Sequence, residues 1–226
     1  MSEDSMFETL LASSVHDMKN SLSLLLSQLD EIGARLDQEV ETRRSVSDLR
    51  YQAGRINVSL MQLLSLYKLE KDQIGVHLSD VFVADFIEDS IAGHSQLAEQ
   101  RDTELLMSCD DELMWFFDPD LVGIALNNVI GNCLRYTRSK VHVSAGIEDK
   151  QLVIRVDDDG QGYPPAMLEH AGRGGTEIDA SSGSTGLGLY FASTIARGHQ
   201  RQQRHGEIRL INHGPLGGGS FIISLP

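Results

Sequence analysis

The strongest constraint on the fold lies in the first third of the chain. Leu11, Val15, Met18, Leu22, Leu25, Leu29, Ile32 and Leu36 follow one another at spacings of four and three without a miss. That spacing returns every apolar side chain to one stripe of an α-helix. It cannot serve a strand, whose faces alternate at every residue. A polar stretch over residues 37–45 follows, and then a second seam of Val46, Leu49, Ala53, Ile56, Leu60, Leu63 and Tyr67. Neither seam contains proline, so two long helices with a short connection predict an antiparallel hairpin. Leu24 and Leu26 widen the first stripe beyond what one partner helix covers. A lone hairpin would leave that surface wet. Two hairpins closing a four-helix bundle would bury it, which predicts a homodimer. An intramolecular coiled coil packed on the rest of the chain is the alternative.

His16 follows the seam residue Val15 and therefore points away from the bundle core, with Asp17 beside it and Asn20 one turn on. Neutral imidazole is a good nucleophile near neutral pH, and an adjacent carboxylate can fix its tautomer or take its proton. On this stretch alone, a solvated surface histidine explains as much.

Beyond residue 71 the pattern changes. Residues 76–78 read as a short strand, and Asp80 as the cap of a helix reaching about residue 101. Residues 103–109 and 113–117 read as strands. Asp118-Pro119-Asp120 starts a helix, with proline in its first turn and acids at its positive end. Residues 140–147 and 151–157 alternate like a β-hairpin turning at 148–150. A loop rich in glycine and serine covers 172–184, a helix about 185–197, and final strands 207–212 and 220–225. This order predicts a mixed sheet covered on one face by helices, an α+β sandwich, after a boundary near residues 71–75.

The helix after Pro119 has two faces. Val122, Leu126, Val129, Ile130, Cys133 and Leu134 fall on one arc, and Asn128, Asn132, Arg135 and Tyr136 on the other. An amide oxygen is a neutral, hard ligand suited to Mg²⁺ when phosphates already supply the negative charge. Arg135 can pair with phosphate oxygens and Tyr136 can lie against a base. Two glycine clusters follow. Asp157-Asp158-Asp159-Gly160-Gln161-Gly162 directly succeeds an apolar strand. A carboxylate held there can accept from an exocyclic amine while the glycines admit a ring close to the backbone. Gly183-Ser184-Thr185-Gly186-Leu187-Gly188-Leu189 opens a helix, where backbone N–H groups suit phosphate. Its spacing is neither a P-loop nor a dinucleotide fingerprint.

Composition excludes other classes. Of 226 residues, 33 are acidic and 19 basic, for a formal net charge of −14. That argues against nucleic acid or an anionic membrane surface as partner, and the short basic run at 197–204 does not reverse it. Cys109 and Cys133 lack metal-ligand spacing and read as reduced core thiols of a cytoplasmic protein. No apolar run approaches membrane-spanning length, and the acidic N-terminus is unlike a signal peptide.

Residues 128–137, 158–162 and 183–189 resemble the N, G1 and G2 boxes of GHKL ATPases, specifically of bacterial two-component sensor histidine kinases. Residues 10–20 resemble the H box of that family, and Gly217-Gly218-Gly219-Ser220-Phe221 its last glycine-rich strand. The resemblance covers nearly the whole chain. It implies an α+β protein in which residues 1–72 form a dimerisation and histidine-phosphotransfer hairpin and residues 76–226 a GHKL-type α/β sandwich that binds ATP. It further implies that His16 accepts the γ-phosphoryl group, Asp17 acts as base or orienting group, and Asn20 positions water for dephosphorylation. Asn132 would ligate Mg²⁺ with Asn128 close by, Arg135 would contact phosphate, and Tyr136 and Asp158 the adenine. Gly160, Gly162, Thr185, Gly186, Leu187 and Gly188 would shape the nucleotide pocket and the hinges of its lid. The implied partners are a second copy of the chain, the receiver domain of a response regulator, and a separate sensory or regulatory protein. The chain departs from the family pattern in lacking a phenylalanine pair before G2, in Ser184 and Ser21, and in the inserted basic stretch at 200–204. A histidine phosphotransferase that keeps the ATP fold only as scaffold is the alternative. It would be expected to lose Asn132 or Asp158, and both are present.

Overall fold

The computed structural model describes residues 75–170 and 187–226, and in the N-terminal part residues 18, 22, 24–29, 32, 49, 53, 54, 56 and 60. The chain divides into two compact units, Met1–Ile74 and Gly75–Pro226. In the first, every described residue is helical. Met18, Leu25 and Ile32, spaced seven apart, are exposed, whereas Leu22, Leu26 and Leu29 are half-buried.

The second unit runs β1 (Ser79–Phe82), α1 (Val83–Ala92), α2 (Ser95–Gln100), β2 (Glu104–Ser108), β3 (Met114–Phe117), α3 (Pro119–Tyr136), β4 (Lys140–Glu148), β5 (Gln151–Asp158), α4 (Pro165–His170), α5 (Leu187–Gly198), β6 (Gln200–Arg201), β7 (Arg204–His205), β8 (Glu207–Asn212) and β9 (Gly219–Leu225). Its main sheet has the order β2-β4-β5-β9-β8, in which only β2 and β4 are parallel. β1 and β3 form a separate antiparallel ribbon, and β6 and β7 a small hairpin. The mixed sheet expected from the sequence is present, and α1, α3 and α5 pack against it.

Local chemistry explains most boundaries. Asp118 caps α3 by accepting from the Leu121 N–H at 3.0 Å, and Pro119 occupies the first turn. The β4–β5 hairpin turns on Asp149 and Lys150, both at positive φ (48° and 64°), as a two-residue turn matched to strand twist requires. The start of α1 differs from the sequence reading. Residues 76–78 are not a strand, and Asp80 does not cap a helix. Instead Asp80 lies within β1, paired with Phe116, and the helix begins at Val83 after a Phe82 that makes no side-chain cap bond. The helix expected to reach residue 101 is also broken in two, at Gly93 and His94.

His199 ties three segments together. It is 2% exposed. Its Nδ1–H donates to the Ile195 carbonyl (2.8 Å), and its Nε2 accepts from the Asp118 N–H (3.0 Å). Its own carbonyl accepts from the Gly206 N–H at 2.9 Å. Only neutral imidazole satisfies both ring contacts, because protonated Nε2 would face an N–H. Burial lowers the His199 pKa, against the opposing pull of the Ile195 bond and the Asp118 charge. With the folded value below the unfolded one, this stability is fully present above the unfolded value of about 6.5 and is lost as pH falls below it toward the depressed folded value. Thermal unfolding of the wild type should therefore move down in temperature from about pH 7.5 to about pH 5.5, and His199→Gln should move less over that interval. Equal slopes would show that His199 is not neutral in the fold.

Candidate nucleotide-binding site

The apolar arc of α3 faces inward: Val122, Leu126, Val129, Ile130, Cys133 and Leu134 are all buried. The opposite arc faces out, with Asn132 and Tyr136 exposed and Asn128 and Arg135 half-buried. The Arg135 guanidinium lies 5.5 Å from the centre of the Tyr136 ring. Asn128 approaches the start of α5 so closely that a Cβ on Gly188 would fall 2.2 Å from its Nδ2. The amide arc thus meets the first turn of α5 at Gly188, where any larger residue would displace the Asn128 amide.

The strand β5 delivers Asp158 to the other side of this region. Asp158 is 6% exposed. Its Oδ1 accepts from the N–H groups of Gly160 (2.7 Å) and Gly219 (3.3 Å). Burial raises the Asp158 pKa, and the two N–H donors work against that rise. The glycines pack tightly around it. A Cβ on Gly160 would lie 2.4 Å from the Tyr136 carbonyl oxygen, and one on Gly218 would lie 2.6 Å from Asp158 Oδ1. Gly162, at φ +79°, passes beside Asn212. Asn212 clamps the next residue twice, accepting from the Tyr163 N–H (2.7 Å) and donating to the Tyr163 carbonyl (2.9 Å).

Asp159 performs a different task. It accepts from the Thr137 hydroxyl, from the Ser139 hydroxyl (2.7 Å), and from the N–H groups of Arg138 (2.8 Å) and Ser139 (3.0 Å). Burial raises its pKa, but these donors outweigh that effect and hold the carboxyl far below the ordinary range. The bonds lock the end of β5 to the chain leaving α3, which fixes Tyr136 relative to Asp158.

Residues 117–226 match the family described as histidine kinase-, DNA gyrase B-, and HSP90-like ATPase. Over 93% of its length the chain is 25% identical to the sensor-like histidine kinase SenX3 of Mycobacterium tuberculosis, covering 52% of that protein. Over 94% it is 30% identical to the signal transduction histidine-protein kinase AfsQ2 of Streptomyces coelicolor, covering 41% of it. The chain is similar to proteins named as histidine kinases along nearly its whole length. It spans about half the length of the curated relatives it matches. The crystal structure of full-length ShkA in complex with AMPPNP shares the fold over 96% of this chain and 45% of that one, at a TM-score of 0.67 and 21% identity. The histidine kinase AdeS of Acinetobacter baumannii does so over 93% and 96%, at 0.61 and 17%. The second unit therefore has the GHKL-type α/β fold.

Of the residues singled out from sequence, Asn128 is beside Gly188, and Asp158, Gly160 and the carbonyl end of Tyr136 are gathered in one cluster. Leu187 opens α5. His16, Asp17, Asn20, Thr185 and Gly186 lie outside the described residues, as does the loop at 172–184. Sequence reasoning missed Asn212, Tyr163 and Asp159, and its reading of Cys133 as a core thiol agrees with the burial of that residue. The run Asp157-Asp158-Asp159 was the available signal for Asp159, whereas nothing local marks Asn212 as the partner of a residue 49 positions away. Among the described residues, no cluster of three or more His, Cys, Asp or Glu could hold a metal. A Mg²⁺ ion at Asn132 would therefore take most of its ligands from phosphate and water, which suits an amide-oxygen site. No helix among the described residues is long and apolar enough to cross a membrane.

Proposed function

We propose that this chain is the core of a protein-histidine kinase: it uses ATP to phosphorylate His16 and passes the phosphoryl group to an aspartate of a partner response regulator. The observation that carries this reading is the meeting, in one unit, of an outward amide arc, a buried carboxylate ringed by glycines, and the first turn of α5 beside Asn128. Asp158 receives the adenine amine, Tyr136 lies against the base, and Arg135 contacts phosphate. Gly160 and Gly162 admit the nucleotide to the backbone, and Thr185, Gly186, Leu187 and Gly188 form the lid hinge at a helix N-terminus that favours phosphate. Asn132, with Asn128 nearby, holds Mg²⁺, which neutralises charge on the phosphates when bound.

In the transfer, the bond from the γ-phosphorus to the bridging oxygen of ATP breaks and an N–P bond to His16 forms. ADP leaves, and the imidazole proton passes to Asp17 or water. The protein's contribution is positioning and charge neutralisation, which dominate phosphoryl transfer. Residues 1–72 act as the dimerisation and phosphotransfer hairpin, and 76–226 as the ATP-binding domain. The exposure of Met18, Leu25 and Ile32 at heptad spacing in a single chain supports a second hairpin as their cover. The face that carries His16, turned away from this seam, also serves dephosphorylation of the regulator through Asn20, and a separate sensory or regulatory protein supplies the signal.

Incubation with γ-labelled ATP and Mg²⁺ tests the reading. Acid-labile, base-stable label mapping to His16 is the expected result. No label from ATP, but uptake of phosphoryl from a phosphorylated receiver, would overturn it in favour of a histidine phosphotransferase with a non-catalytic ATP-type domain.

A further inference from the structure

The ribbon of β1 and β3 has two unlike faces. Alternation puts Val81, Trp115 and Phe117 on one side, and Asp80, Phe82, Met114 and Phe116 on the other. The first side packs inward. Phe117 is fully buried, its ring meeting that of Phe86 edge to face with centres 5.2 Å apart, and Val81 and Trp115 are half-buried. The second side is open. Phe82 stands opposite Met114 and Asp80 opposite Phe116, and the three large apolar side chains are 47–50% exposed. Leu78, directly before β1, is exposed too. Among the described residues of this unit, the other exposed large apolar side chains, Tyr136, Ile147 and Ile211, lie on three separate elements, so the ribbon is where such residues gather. The charge around it is one-sided. From Gly75 to Leu134 the chain carries twelve Asp and Glu and a single basic residue, Arg101. Asp80 lies on the open face itself. Asp110, Asp111 and Glu112, all exposed, form the turn that leads into β3, and the Val83 N–H, donating to the Leu113 carbonyl at 2.9 Å, holds that turn at the end of the ribbon where Phe82 pairs with Met114.

We infer that the open face of the β1–β3 ribbon docks a basic amphipathic helix of a partner protein, whose apolar stripe covers Phe82, Met114 and Phe116 while its Lys or Arg side chains meet Asp80 and the acidic turn. Shape and charge choose that occupant. An apolar sheet face is buried by packing another element on it. Two strands about 4.8 Å apart present a strip roughly 10 Å wide, the diameter of one helix. A second copy of the chain would bring the same acids against each other, which disfavours stacking ribbon on ribbon. A basic partner turns that repulsion into attraction and speeds the encounter. None of these residues belongs to the candidate nucleotide site, so the inference goes beyond the kinase reading and does not rest on it.

The test is titration of the full chain into a dansyl-labelled peptide of leucine and lysine at helical spacing, about 14 residues or roughly four turns long. Anisotropy reads affinity. Energy transfer from Trp115, the chain's single tryptophan, reads location, since that residue lies between Met114 and Phe116. The wild type should bind with transfer and lose affinity as salt rises from about 0.05 to 0.5 M. Phe82→Thr and Phe116→Thr, which keep a strand-forming residue at exposed positions, should each weaken binding by about 10-fold, the scale of an aromatic anchor. Asp80→Asn should weaken it about 2- to 5-fold at low salt and less at high salt. Ile147→Thr, which removes an exposed apolar residue on β4, should bind as wild type does. The same peptide with glutamate for lysine should not bind, and equal binding of it would overturn the choice of a basic partner. Absent binding, binding without transfer from Trp115, or equal affinity in wild type, Phe82→Thr and Phe116→Thr would overturn the inference. So would a fall in particle mass by light scattering on combining Phe82→Thr with Phe116→Thr, which would assign the face to a second copy of the chain.

Discussion

Asn132→Ala is expected to reduce autophosphorylation by about 10²- to 10³-fold, the usual effect of removing one preorganised electrostatic contact to a reacting group. It should leave the fold intact. The Asn132 side chain is exposed on α3 and makes no hydrogen bond to another described residue. Alanine is the better helix former, so the melting temperature should hold or rise slightly. That combination, lost activity at undiminished stability, separates a ligand role from a structural one. Asn128 offers the contrast. It is half-buried against Gly188, so Asn128→Ala would disturb the start of α5 as well as the phosphates. Radiolabel incorporation measured beside thermal unfolding decides the matter. Wild-type incorporation by Asn132→Ala would show that Mg²⁺ is not held at this position.

What made Asn132 legible from sequence was periodicity. An 18-residue helix repeats its faces often enough that amides one turn apart stand out from the apolar arc, and the arc is buried as the spacing requires. The hairpin at Asp149 and Lys150 was legible for a similar reason, since strand alternation on both sides brackets the turn. Short elements gave weaker signals. β1 is four residues long and runs directly into α1, so Asp80, a good capping residue by type, marked the wrong boundary. The β6–β7 hairpin was hidden in a basic run. Its turn depends on Gln202 at φ 58°, a conformation that the residue type does not announce.

The candidate site was legible where the clustering is local, as with Asp158 and Gly160, which the fold holds together. It was opaque where a group acts through a distant partner. Tyr163 and Asn212 are 49 positions apart and meet because β9 pairs with both β5 and β8 in the sheet. Asp159 looked equivalent to its neighbours Asp157 and Asp158. The fold gives the three carboxylates different partners: Asp157 accepts from the Ser220 hydroxyl inside the sheet, Asp158 from the Gly160 N–H, and Asp159 ties the chain after α3. Alternation of the strand explains this division, because consecutive side chains leave a strand on opposite sides and the third lies beyond its end.

The second large effect is expected at Gly160, where the backbone itself forbids a side chain. A Cβ there would lie 2.4 Å from the Tyr136 carbonyl oxygen, 3.1 Å from its carbonyl carbon and 2.8 Å from Asp158 Oδ1. Two of these atoms are backbone at the end of α3 and cannot swing aside, so either residues 159–162 or the helix end must shift. Either movement breaks the bonds from Asp159 to Arg138 and Ser139 or pulls Asp158 out of reach of the Gly160 N–H. Gly160→Ala should therefore cost about 2–4 kcal/mol in stability, the upper range for overpacking a closed site. It should also weaken ATP binding by more than about 10-fold through the displaced carboxylate. Gly146→Ala is the matched control: it lies in β4 with nothing within 4 Å of a new Cβ, and it should be neutral or slightly stabilising. Denaturant unfolding and ATP titration of both variants test the pair. Wild-type affinity and stability in Gly160→Ala would mean that the close approach of residue 160 to Tyr136 is dispensable, and with it the requirement for glycine between the Asp158 carboxylate and the end of α3.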